Sequence, residues 1–163
     1  MAIGNMLFAF ELISFYGSIF FAVIVAAILW LKKDKKLLFL FVLDFVLIST
    51  VVYGLKFLVQ APRPNAPVPL SPGAPVLPTP FYESSFPSGH SARAFLYSAF
   101  LSKEFDKFFQ DILYIFAALA AIGRVVTGAH TAIEIIVGSV IGFAISWLTL
   151  KYQKQILKIF NIR

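Results

Sequence analysis

The chain has 163 residues, of which 60% are hydrophobic and only 13% charged, and its mean hydropathy is +0.86. A soluble domain this short cannot bury so much apolar surface, so the surplus must face lipid. The net charge of +6 does not mark a nucleic-acid binder, because the basic residues punctuate apolar runs instead of gathering on a polar face.

The segment before Leu12 carries no Lys or Arg, while Lys32, Lys33, Lys35 and Lys36 follow the first apolar run. That is the reverse of a signal peptide, and the segment reads as a retained anchor. A bilayer core takes ~20 apolar residues per helix. Residues 12–31 supply a first span and 37–59 a second, which carries Asp44 and Lys56. All nine prolines lie between Pro62 and Pro87. Proline removes a backbone donor and breaks helix interiors, so 60–86 reads as a loop outside the hydrocarbon. Three more spans follow at 88–102, 108–126 and 129–152. The first of these three is short, and it must tilt or begin below the membrane surface. The expected fold is all-α: a polytopic transmembrane helical bundle of about five spans forming one membrane-embedded domain, with a proline-rich extracytoplasmic loop.

Lysine and arginine set the orientation. Ten of the fourteen basic residues fall in the loops after the first and third spans and in the tail, all on one side, which is then the cytoplasm. The N-terminus and the proline-rich loop lie outside, and the C-terminus inside, in a multi-pass protein of the cell membrane. The other four basic residues, Lys56, Arg63, Arg93 and Arg124, stand at the outer side against this bias. A charge placed against the topology signal needs another reason.

That reason is legible at the outer helix ends. They bring Lys56, Arg63, Arg124, both histidines (His90 and His130) and Glu134 to one layer. Arginine offers a fork to phosphate oxygens, and lysine adds a point charge. A helix beginning Ser88-Gly89 presents backbone amides to an anion. His130 and Glu134 stand four residues apart, on one helical face, where the carboxylate can hold one ring nitrogen and leave the other to attack. The absence of cysteine excludes thiolate metal sites, and two histidines are too few for a His-rich zinc site.

These residues resemble the type 2 phosphatidic acid phosphatase superfamily, the lipid phosphate phosphatases that share a site with vanadium haloperoxidases. That family shows three blocks: Lys-x6-Arg-Pro, Pro-Ser-Gly-His and Ser-Arg-x5-His-x3-Asp. Here they are Lys56 to Pro64, Pro87 to His90, and Gly123-Arg124 through His130 to Glu134. Gly123 stands where the family has serine, and Glu134 where it has aspartate.

The resemblance implies phosphoryl transfer through a phosphohistidine, without metal or cofactor. His130 is the nucleophile, Glu134 orients it, and His90 is the acid and then the base. Lys56, Arg63 and Arg124, with Ser88 and Gly89, hold the phosphate; Arg93 either contacts a second phosphate or pairs with Glu83. The implied partners are the membrane and a phosphorylated lipid. Polyprenyl diphosphate comes slightly ahead of phosphatidylglycerophosphate, phosphatidate or a lipid A phosphate. Two other readings are a phosphotransferase to an alcohol acceptor and a non-catalytic lipid-binding or transport protein. A soluble haloperoxidase is excluded by the spans.

Outside these blocks, Asp44 lies too deep for the outer site and reads as a polar helix contact. Gly138, Gly142 and Ser146 form a small-residue stripe for close helix packing. The charge bias makes a direct prediction. Cysteines introduced near Asp34 and near Ala74 should react with impermeant reagents from opposite sides, the latter from outside; reaction of both from the cytoplasm contradicts the orientation.

Overall fold

The computed structural model describes residues 2–64 and 84–162. Most of the proline-rich loop, with Ala74 and Glu83, lies outside the described residues. All regular structure among those described is helical: α1 (Ala2–Ser14), a 3-10 turn (Phe15–Gly17), α2 (Phe21–Leu31), α3 (Lys35–Val59), α4 (Gly89–Leu101), α5 (Lys107–Val126), α6 (Ala132–Lys151) and α7 (Gln153–Ile159).

Polar side chains start the long helices where the apolar runs begin. Asp34 accepts from the Leu37 amide at 2.8 Å to cap α3, and Asp106 accepts from the Phe109 amide at 3.1 Å to cap α5. At its other end α3 stops at Gln60, which is left-handed at φ 47°, just before the first proline. α3, α5 and α6 are long and apolar enough to cross a membrane.

The stretch 12–31, expected as one straight span, is two helices. It breaks at the 3-10 turn after Ser14, where α1 and α2 meet at a bend of 49°. Counted as one broken span, the pair brings the elements long and apolar enough to cross to four. The thirteen residues of α4 reach only ~20 Å, less than a ~30 Å hydrocarbon core. Ten of them are buried, so neighbouring helices, rather than lipid, surround α4. Its length therefore need not match the bilayer.

α4 is the centre of the bundle. Leu96, Tyr97 and Phe100 join Val25, Leu29, Leu40, Phe41 and Ile48 in the apolar core. On its other side α4 meets α6 backbone to backbone. A Cβ on Gly138 would stand 2.3 Å from the Ser88 carbonyl oxygen, and one on Gly142 would stand 2.1 Å from that of Ala92. The small-residue stripe is the surface on which α4 rests. Deeper in, the Thr149 hydroxyl donates to Asp44 at 2.6 Å, joining α6 to α3. The buried carboxylate is the polar helix contact that its depth implies.

Gly142→Ala must push α4 and α6 apart, and should cost roughly 2–3 kcal/mol of stability. Gly54→Ala meets nothing within 4 Å and gains helix propensity, up to ~1 kcal/mol. Thermal unfolding in detergent should rank the two in that order, and equal melting temperatures would contradict the close contact.

Candidate active site

The site is assembled around Glu134, which is buried at 6% exposure. One carboxylate oxygen accepts from the Ser85 hydroxyl at 2.6 Å. The other accepts from the Thr131 amide at 2.9 Å and faces His130 Nδ1 at 3.2 Å. The contact with Thr131 completes a capping box, so the same carboxylate starts α6. His130 and Glu134 do not share a helical face. α6 begins at Ala132, and His130 sits in the turn before the Thr131 cap. The pair meets because the capping turn folds back, and Nε2 is the ring nitrogen left for chemistry.

The second block is pinned to this hub. The Ser88 amide donates to the Glu134 carbonyl at 3.0 Å, and the Ser85 amide donates to the Ala61 carbonyl at 2.8 Å. Ser88, expected at the substrate, is fully buried. Its hydroxyl caps α4 by accepting from the Ser91 amide at 3.4 Å, so its polar groups serve the fold. Gly89, the first residue of α4, lines the cavity, and a first-turn amide of this kind can meet an anion.

Lys56, Arg63, Gly89, His90, Arg93 and His130 line one cavity of about 140 Å³, with Val52 and Tyr53. Larger cavities exist, one of about 360 Å³ beside Trp30 and Lys35, but this one holds both imidazoles and three cations. The Lys56 ammonium donates to the Ser84 carbonyl, which ties the end of α3 to the segment ahead of α4. Arg93 donates through Nε to the Gly17 carbonyl at 3.0 Å. It thus lines the cavity while bonded to the bend of the first span; its proposed partner Glu83 lies outside the described residues. Arg124 does not line this cavity. Its guanidinium is mostly buried and meets Glu11 of α1 at 3.4 Å, a partner that the sequence did not suggest. Among the described residues no group of three or more His, Asp or Glu side chains is arranged to hold a metal.

Residues 35–158 match the PAP2 superfamily. The chain belongs to this family. Its fold is similar to the crystal structure of Aquifex aeolicus LpxE, with a TM-score of 0.75 and 25% identity over 91% of this chain and 87% of that one. Comparison with curated proteins finds no match. Family and fold together make the chain a membrane lipid phosphatase.

Both departures from the PAP2 pattern now have physical settings. Glu134 has the reach to touch Ser85, Thr131 and His130 at once. Gly123 faces α1, where a Cβ would stand 3.0 Å from Ser14 Oγ and 3.2 Å from the Phe10 carbonyl oxygen.

Burial holds His130 below the usual imidazole range, to about 4; Glu134 pulls it up, and Arg63 and Arg124 push it further down. The ring is therefore neutral, and able to attack, at ordinary pH. Protonation, as pH falls through the depressed value, removes the free ring nitrogen that an attack by His130 would need. The acid limb of kcat/KM for the coupled pair should thus lie well below the ~6.5 of an unperturbed histidine. A limb at or above that value would contradict a buried, neutral His130.

Proposed function

We propose that the protein hydrolyses the terminal phosphate of a membrane lipid diphosphate, of the polyprenyl diphosphate kind, through a phosphohistidine on His130. The observation that carries this reading is the cavity in which His130, held through Nδ1 by Glu134, faces His90 among Lys56, Arg63 and Arg93. Nε2 attacks phosphorus, and the bond to the leaving oxygen breaks. His90 delivers a proton to that oxygen. Water then attacks the phosphohistidine while His90 takes its proton, the phosphorus–nitrogen bond breaks, and inorganic phosphate leaves with His130 neutral again. Charge develops on the equatorial oxygens throughout, and the fixed cations lining the cavity stabilise it. Glu134 stabilises the positive ring of the intermediate.

Three cations line the cavity, and Arg124, paired with Glu11, acts electrostatically on His130 from nearby. The preference for a diphosphate rests on Arg93, which lines the cavity beside Lys56 and Arg63 and can meet a second phosphate. The cations, rather than a metal, supply the electrostatic stabilisation in this reading. The charge bias of the loops supports a site facing away from the cytoplasm.

The test is release of inorganic phosphate in detergent from a polyprenyl diphosphate, a phosphatidylglycerophosphate, a phosphatidate and a lipid A phosphate, with no alcohol acceptor added. The diphosphate should turn over fastest. Folded His130→Ala should release none while still binding lipid, because the cations remain. His90→Ala should slow a monoester, whose alkoxide leaves poorly, at least tenfold more than a diphosphate. Turnover by His130→Ala contradicts the mechanism, and phosphate release only with an acceptor identifies a phosphotransferase.

A further inference from the structure

The bundle has a second cavity lined by cations, at the end of α6 remote from the candidate active site. Glu134 stands in the first turn of α6 and Lys151 ends it, so the rise of the helix sets them ~25 Å apart. The cavity has about 230 Å³, and Ala99, Lys103, Tyr114, Phe143, Trp147 and Lys151 are among its lining residues. It is larger than the one of about 140 Å³ that holds both imidazoles. With α6 crossing the bilayer, the two cavities face opposite leaflets. On the orientation expected from the loops, this one faces the cytoplasmic leaflet, where anionic lipids gather.

Its lining combines two chemistries. Lys103 and Lys151 supply positive charge, and among the described residues neither forms a salt bridge. The acids nearest in sequence to Lys103 are engaged elsewhere. Glu104 meets Lys32 at 3.7 Å, Asp106 caps α5, and Asp111 meets Lys107 at 2.5 Å. The Lys151 ammonium lies 4.6 Å from the centre of the Trp147 ring, which keeps the charge beside the cavity. Phe143 and Trp147 supply the second chemistry. They are 46% and 49% exposed on a helix apolar enough to cross, so they face acyl chains. A lone lysine at a helix end snorkels to the interface and needs no ligand. Here two lysines, from α6 and from the loop after α4, close on one recess beside a lipid-facing tryptophan. A soluble anion would leave Phe143 and Trp147 unused, and an uncharged lipid would leave the lysines unused.

We propose that this cavity binds an anionic phospholipid of the bilayer, with the phosphate between Lys103 and Lys151 and an acyl chain along Trp147 and Phe143. The lipid meets α4 at Ala99, α5 at Tyr114 and α6 at Trp147, and so braces the end of the bundle opposite the active site. It is not the substrate, because the length of α6 separates it from His130. The proposal stands independently of the phosphatase reading.

The chain has two tryptophans, Trp30 and Trp147. Trp30 is 67% exposed, so Trp30→Phe leaves the core intact and Trp147 as the sole tryptophan emitter. This protein is reconstituted in vesicles of phosphatidylcholine and phosphatidylglycerol, with brominated chains on one lipid or the other. Brominated chains quench a tryptophan that they touch, and the ratio of quenching gives the lipid preference at Trp147. Phosphatidylglycerol should be preferred about fivefold or more. Lys103→Gln with Lys151→Gln should bring that preference close to one. Lys154→Gln with Lys158→Gln removes the same charge from exposed positions outside the cavity and should leave the preference unchanged. Equal quenching by both lipids in the parent protein overturns the proposal. Equal loss in the two double variants shows a diffuse basic surface and overturns it too. Inorganic phosphate should displace the lipid no better than chloride at the same ionic strength; better displacement identifies a free-anion site and contradicts a lipid. Should the cavity double variant fail to fold, Lys103→Gln alone should lower the preference at least twofold, and an unchanged preference overturns the proposal.

Discussion

The Glu134 carboxylate is the constraint on which the site depends. It is buried, and it satisfies three groups at once: the Ser85 hydroxyl, the Thr131 amide and His130 Nδ1. Each contact belongs to a different structural task. Ser85 fixes the segment leading into α4, Thr131 opens α6, and His130 lines the cavity. A buried carboxylate is costly unless it is fully hydrogen-bonded, and these partners meet that requirement. The helix cap, the loop anchor and the orientation of His130 are therefore one interaction, and none can be changed without disturbing the others.

Around this hub, close backbone contact does the rest. Gly138 and Gly142 let α4 lie directly on α6, which brings the Ser88 amide to the Glu134 carbonyl and the first turn of α4 to His130. The bend after α1 does the same on the opposite side, through Gly17 and His90. The cavity between them is small and lined by like charges. Bringing Lys56, Arg63 and Arg93 together costs electrostatic free energy that helix packing must offset. A phosphate group, as in the proposed function, is the natural counter-ion. Such a site is pre-organised for an anion before the anion arrives.

Much of this was legible in the sequence because it is written in local spacing. Lys56 to Pro64, Pro87 to His90 and Arg124 to Glu134 are short blocks whose residues report on the turns they occupy. The long spans followed from apolar length, and the Asp44 contact from depth. What was hidden depends on distance along the chain or on competition for one group. The Glu11–Arg124 pair joins residues 113 apart, and no local pattern announces it. Ser88 looked like a ligand residue, but a serine ahead of a helix is also a cap, and the cap prevailed. The break after Ser14 was invisible because an apolar run reads alike whether straight or bent. His130 and Glu134 do pair, but through the turn at the Thr131 cap and not across one helical face, because α6 starts two residues after the histidine.

The central claim is that His130 carries the phosphoryl group, and trapping the intermediate tests it most directly. In His90→Ala protein the base for hydrolysis is missing, so a phosphohistidine formed from a lipid diphosphate should accumulate. Rapid quenching in alkali, proteolysis and mass spectrometry should then find one phosphate, labile to acid, on the peptide containing His130 and on the ring itself. A His90→Ala protein that still turns over while His130 stays unmodified, or that carries the phosphate on another residue, would contradict the account.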